Sequence, residues 1–114
     1  MNRSGAQAEA LAAAFLSARG LTIGERNYRC RFGEIDLIAR DGKTLVFVEV
    51  RLRGNARFGG AAESVTASKR KKLIAAAQHY MTSMPGAPAC RFDVVALDRL
   101  DAANIEWIRN AFGE

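Results

Sequence analysis

The sequence predicts an α/β domain of element order αβββαββ, with a central mixed sheet flanked by helices, and three observations carry that prediction. Ala8, Leu11, Ala12, Phe15 and Leu16 recur at helical spacing near the start of the chain. Two β-rich runs then meet at Asp41-Gly42, and a second helical periodicity separates them from two further β-rich runs. Helical and strand segments in this order bury their apolar faces as layers on one sheet.

Ser4, followed three residues later by Gln7, has the pattern of a capping box for the first helix, and Gly20 is a C-terminal stop. Glu9 stands about 90° from the apolar stripe, at about 100° per residue, so both water and a cleft are open to it. Leu21 to Tyr28 reads as a strand and Cys30 to Gly33 as a turn. Glu34 to Ala39 and Thr44 to Arg51 are the runs on either side of Asp41-Gly42, a strong hairpin signal. The second helix is expected from Ala67 to Met84, with Leu73, Ile74, Ala77, Tyr80 and Met81 as its buried face. Pro85 and Pro88 fall in a loop, Arg91 to Leu97 forms another strand, and Asn104 to Ile108 a short last one.

A chain of 114 residues with 49% hydrophobic residues is one domain, 1–114, with a normal core, which excludes disordered and fibrous classes. Its longest uncharged apolar run, Ala10 to Leu16, is far short of the ~20 residues that span a bilayer. A single Arg3 and the interrupting Glu9 do not make a signal peptide, so a cytoplasmic protein without membrane contact is expected. Cys30 and Cys90 have no partner at ligand spacing and are expected in or near the core. The formal charge of +5 favours a polyanionic partner through non-specific attraction.

If Asp41 and Gly42 form the hairpin loop, residue 38 pairs with 45, 36 with 47 and 34 with 49. Ile35, Leu37 and Ala39 then share an aliphatic face with Val46, Val48 and Val50. The other face gathers Glu34, Asp36, Glu49 and Arg51, with Glu34 opposite Glu49 and Asp36 diagonal to it. Two carboxylates about 4 Å apart repel by about 4 kcal/mol at an effective dielectric near 20, which calls for a proton or a cation. Hard oxygen donors without His or Cys favour Mg²⁺ or Mn²⁺, while Arg51 in an exposed charge network is the competing explanation.

Gly33-Glu34-Ile35-Asp36-Leu37-Ile38-Ala39, Val46-Phe47-Val48-Glu49-Val50-Arg51, Lys69 and Arg91-Phe92-Asp93-Val94-Val95 resemble the YraN-like family of uncharacterised bacterial proteins. That family resembles the PD-(D/E)XK nuclease superfamily, archaeal Holliday junction resolvases above all. The resemblance implies a restriction endonuclease-like αβββαβ core and metal-dependent phosphodiester hydrolysis of structured DNA. It implies Asp36 and Glu49 as ligands of Mg²⁺ or Mn²⁺ and Glu9 as a helix acid assisting metal or water, with Glu34 in the motif but without a settled role. Arg51 stands where the superfamily has its catalytic lysine. Arginine keeps the positive charge but is not deprotonated in proteins, so it holds a phosphate and accepts no proton.

Lys69, Arg70, Lys71 and Lys72 fall in the first turns of the second helix, where cations oppose the helix dipole and an anionic partner explains them. Arg53, Arg57 and Phe58, among glycines, suit an arm that follows a phosphate chain and stacks on a base. His79 has no obvious partner, Trp107 and Phe112 read as anchors, and Asp93, which alternates with apolar neighbours, is implied by the family resemblance to be a buried structural acid. Three functions follow: a Mg²⁺-dependent endonuclease on DNA, a homodimer if it resolves junctions; a DNA- or RNA-binding module that has lost its chemistry through Arg51; and a protein-interaction adaptor.

Overall fold

The computed structural model describes residues 3–52, 65–98 and 105–113. Its elements are α1 (Arg3–Ala18), β1 (Thr22–Cys30), β2 (Gly33–Asp41), β3 (Thr44–Leu52), α2 (Ala67–Met81), β4 (Cys90–Leu97) and β5 (Ile105–Phe112). The order is the one the sequence predicts. Ser4 lies inside α1, one residue past its start at Arg3. The stop at Gly20 is present: at φ 98°, it donates to Ser17 O at 3.1 Å while Leu21 N–H reaches Leu16 O at 3.2 Å, a Schellman closure. At the start of α2, Thr66 accepts from Lys69 N–H at 3.1 Å, a cap worth about 1 kcal/mol.

All strands join one sheet in the order β1-β2-β3-β4-β5. β3 and β4 are parallel, as the intervening α2 requires, and the other pairs are antiparallel. The hairpin loop differs from expectation. Asp41 pairs with Thr44 and Ala39 with Val46, so the loop is Gly42-Lys43, with Gly42 at φ 63° in its first position. Each β2 residue therefore meets a β3 residue two places further on than expected. The faces survive such a shift, because side chains alternate with period two, but the partners change. Glu34 pairs with Arg29 of β1 and not with Glu49.

Both faces of the sheet are covered. Beneath α2 pack Ile35, Ile38, Leu45, Phe47, Phe92, Val94 and Ala96 with Leu73, Ala76 and Ala77. Beneath α1 pack Leu37, Ala39, Val46, Val48, Val95 and Leu97 with Ala8, Ala12, Ala13 and Leu16. Ile35 and Leu37 thus serve opposite layers, where strict alternation puts them together, so the pleat is interrupted at Asp36. β5 continues through Phe112 because Asn110, at φ 50°, absorbs a register shift opposite Phe92 and Val94. Cys30 is half-buried and Cys90 exposed, so only the first approaches its expected place.

Candidate metal centre

The β2–β3 ladder runs from Asp41↔Thr44 to Leu37↔Val48. Beyond it Val50 N–H donates to Asp36 Oδ2 at 2.8 Å, so a side chain takes a backbone donor where the strands part. Asp36 there faces the carboxyl of Glu49 within hydrogen-bond reach. Glu9 joins from α1, near enough to Asp36 and Asn27 for both to act on its carboxyl. From the opposite layer Lys69 brings Nζ to 4.0 Å from Glu49 Oε1, and Arg51 Nη1 lies 3.5 Å from Oε2.

The Glu49 side chain is 4% exposed, and its Oε1 accepts no hydrogen bond. Two facing carboxyls need a proton between them or a cation beside them, and neither Lys69 at its distance nor the long contact from Arg51 closes that requirement. Burial, then the charge of Asp36, pushes the Glu49 carboxyl up to about 7, against the opposing pull of Lys69 and Arg51. Burial also raises Asp36, while the Val50 N–H and Lys69 draw it down. Glu9 is raised by burial and then by Asp36, with Asn27 opposing.

Glu9, Asp36, Glu49, Arg51 and Lys69 are therefore neighbours, drawn from α1, β2, β3 and α2. Glu34 is apart from them, pairing its Oε2 with Arg29 Nε at 3.4 Å on the exposed surface. Arg70 turns inward: its Nε donates to Val65 O at 2.9 Å, and its guanidinium lies 5.3 Å from the Phe112 ring centre. Lys71 and Lys72 are exposed. Arg53, Arg57 and Phe58 lie outside the described residues. His79 is exposed against Phe32, with centroids 5.5 Å apart, and Trp107 is an anchor packed edge-on to Phe15 at 6.1 Å.

Among the described residues, no group of three or more His, Cys, Asp and Glu side chains forms a ready cation cage. Mg²⁺ does not require one, since it is held by one or two carboxylates with water completing its shell. The orphaned Oε1 and a second carboxylate facing it, with no cluster of His or Cys beside them among the described residues, fit a small hard divalent ion.

Two members of the pocket escape sequence reasoning. Asn27 is recruited through a φ of 55°, a conformation that asparagine tolerates better than most residues and the one local signal it carries. Lys69 reads from the sequence as a phosphate contact, and its approach to Glu49 exists only after α2 packs on β2 and β3.

Fold and site together define a small mixed α/β protein with a carboxylate pair, Glu49 buried and Asp36 half-buried, where a hairpin opens. The chain belongs to the Uncharacterised protein family UPF0102, whose model matches residues 8–97, a span that includes Glu9, Asp36, Glu49, Arg51 and Lys69. It is 58% identical over 108 residues to a UPF0102 protein of Nitrosospira multiformis, covering 95% of this chain and 91% of the relative. A Methylobacillus flagellatus UPF0102 protein is 54% identical over 112 residues, 98% of each chain. One from Nitrosomonas europaea is 56% identical over 110 residues, 96% of this chain and 93% of its own. No helix among the described residues is long and apolar enough to cross a membrane.

Proposed function

We propose that this chain is a Mg²⁺- or Mn²⁺-dependent phosphodiesterase acting on structured DNA, with Asp36 and Glu49 as the metal ligands. One observation carries the reading: a buried carboxylate oxygen without a donor, facing a second carboxylate and flanked by two cations. A divalent ion held by Asp36 and Glu49 would supply Lewis acidity toward a phosphate oxygen and toward water.

The chain's own residues do the rest. The Val50 N–H fixes Asp36, and Glu9 stands beside it with Asn27 nearby. Glu9, with its raised pKa, is placed to receive or return a proton at the carboxylates. Arg51, in contact with Glu49 yet 39% exposed at its side chain, is accessible to hold a phosphate oxygen. Lys69, about as exposed, supplies from α2 the ammonium that β3 lacks, so arginine at position 51 does not leave the site without a lysine.

Incubation with junction, flap and single-stranded DNA in Mg²⁺ or Mn²⁺ tests this. The expected result is cleavage that a chelator stops and that Asp36→Asn lowers on the order of 100-fold. Cleavage that survives Asp36→Asn contradicts the proposal. DNA binding without cleavage in either metal selects the second reading, a binding module, which the loss of a proton-accepting side chain at Arg51 favours.

A further inference from the structure

Between the β1–β2 turn and the first turns of α2 lies a cleft of about 360 Å³ lined by Arg29, Cys30, Gly33, Glu34, Lys69 and Lys72. Its walls are held close. Gly33, at φ 150°, approaches α2 so nearly that an added Cβ would stand 3.3 Å from Lys72 Cβ. Tyr28 and Tyr80 pack edge to face at 5.1 Å, joining β1 to α2.

Three cations face one anion in this cleft. Glu34 holds Arg29 at 3.4 Å, but their side chains are 50% and 68% exposed, and such a pair is worth little against a stronger acceptor. Lys69 belongs to both places, lining the cleft and standing 4.0 Å from Glu49 Oε1. Beside the cleft, at the tip of the turn, Phe32 is 39% exposed, with the Arg31 guanidinium 4.8 Å from its ring centre.

We propose that this cleft seats the phosphodiester next to the one held at the carboxylates, with Arg29 and Lys72 on its oxygens and Phe32 stacked on the attached base. The proposal rests on the nucleic-acid reading above and adds where the strand runs. A phosphodiester suits the place better than a free carboxylate ligand does, because its neighbour in the same chain reaches the carboxylate pair through the shared Lys69. Glu34 acts as the anion that the strand displaces from Arg29. Removing its charge therefore strengthens binding, whereas a metal-binding role for Glu34 predicts no such gain.

Fluorescence anisotropy of single-stranded DNA, measured in chelator over a salt series, isolates the cleft from catalysis. Arg29→Ala and Lys72→Ala are each expected to weaken binding and to reduce the slope of log affinity against log salt by about one. Phe32→Ala should weaken binding roughly tenfold with the slope unchanged. Glu34→Gln should tighten it severalfold at low salt. Arg40→Ala, exposed near the other hairpin loop, serves as the reference. Slopes for Arg29→Ala and Lys72→Ala that equal the reference, weaker binding by Glu34→Gln, or no binding by the parent protein overturn the assignment. Metal-dependent cleavage with unchanged slopes defeats the cleft alone; the expected slopes without cleavage defeat only the hydrolytic reading.

Discussion

Asp93→Ala is expected to lower the free energy of unfolding by about 3–5 kcal/mol, enough to leave a domain of this size largely unfolded at 37 °C. Asp93 is 0% exposed and saturated with donors. Oδ1 accepts from Arg91 Nε at 3.0 Å and from Asn110 N–H at 2.9 Å; Oδ2 accepts from Trp107 Nε1 at 2.9 Å and Arg91 Nη2 at 3.2 Å. Arg91 continues to Asp41 at 2.9 Å. The Asn110 N–H is free for this role because the β5 bulge takes it out of the ladder.

Alanine at position 93 strands an indole N–H and a backbone N–H together, each at the cost of its lost partner, and leaves the Arg91 guanidinium with Asp41 alone. Asp93→Asn keeps the volume and one acceptor, so it should cost less than alanine. Urea denaturation at pH 7 measures both. A loss under about 1 kcal/mol for Asp93→Ala contradicts the structural role assigned to this acid.

Glu49→Gln is expected to act in opposite directions on stability and on chemistry. In the unfolded chain the carboxyl titrates near its ordinary value of 4.5, and in the folded protein burial and Asp36 raise it to about 7. Between those two values the folded state holds more protons than the unfolded state, so stability falls as pH rises from about 4.5 to about 7. The amide cannot ionise, and that part of the slope disappears. Above pH 7 the variant should be more stable than the parent by up to about 3 kcal/mol, the ceiling set by a shift of this size. Metal-dependent cleavage should be lost at the same time, because an amide neutralises no cation. Urea curves from pH 4 to 8 check the first half, and equal pH slopes in parent and variant contradict it.

The sequence carries the element order plainly. The stripe from Ala8 to Leu16, the β-rich runs and the basic start of α2 all fall where local pattern decides structure. Alternation puts Asp36 and Glu49 on one face for either choice of hairpin loop, but it does not reveal the interruption of the pleat at Asp36. What local pattern does not reveal is set by tertiary packing. Gly42-Lys43 and Asp41-Gly42 differ by one residue, yet the difference takes Glu34 out of register with Glu49. Ile35 leaves the layer of Leu37 because the strand is interrupted at Asp36, and an apolar residue in a doubly covered sheet gives no sign of which layer it serves. Asn110 ends the alternation of β5 without ending the strand. Lys69 meets Glu49 only through the docking of α2, and no spacing within the chain encodes that contact.

Calorimetric titration of Mn²⁺ or Mg²⁺ into the metal-free protein at pH 6.5, in two buffers of different ionisation heat, tests the central claim most directly. The account predicts a saturable site that releases a proton, because Glu49 is still largely protonated there and a cation takes the proton's place. Asp36→Asn and Glu49→Gln should each abolish it. Titrations that show no saturable binding in the parent, or the same binding in both variants, contradict a metal centre at these two carboxylates.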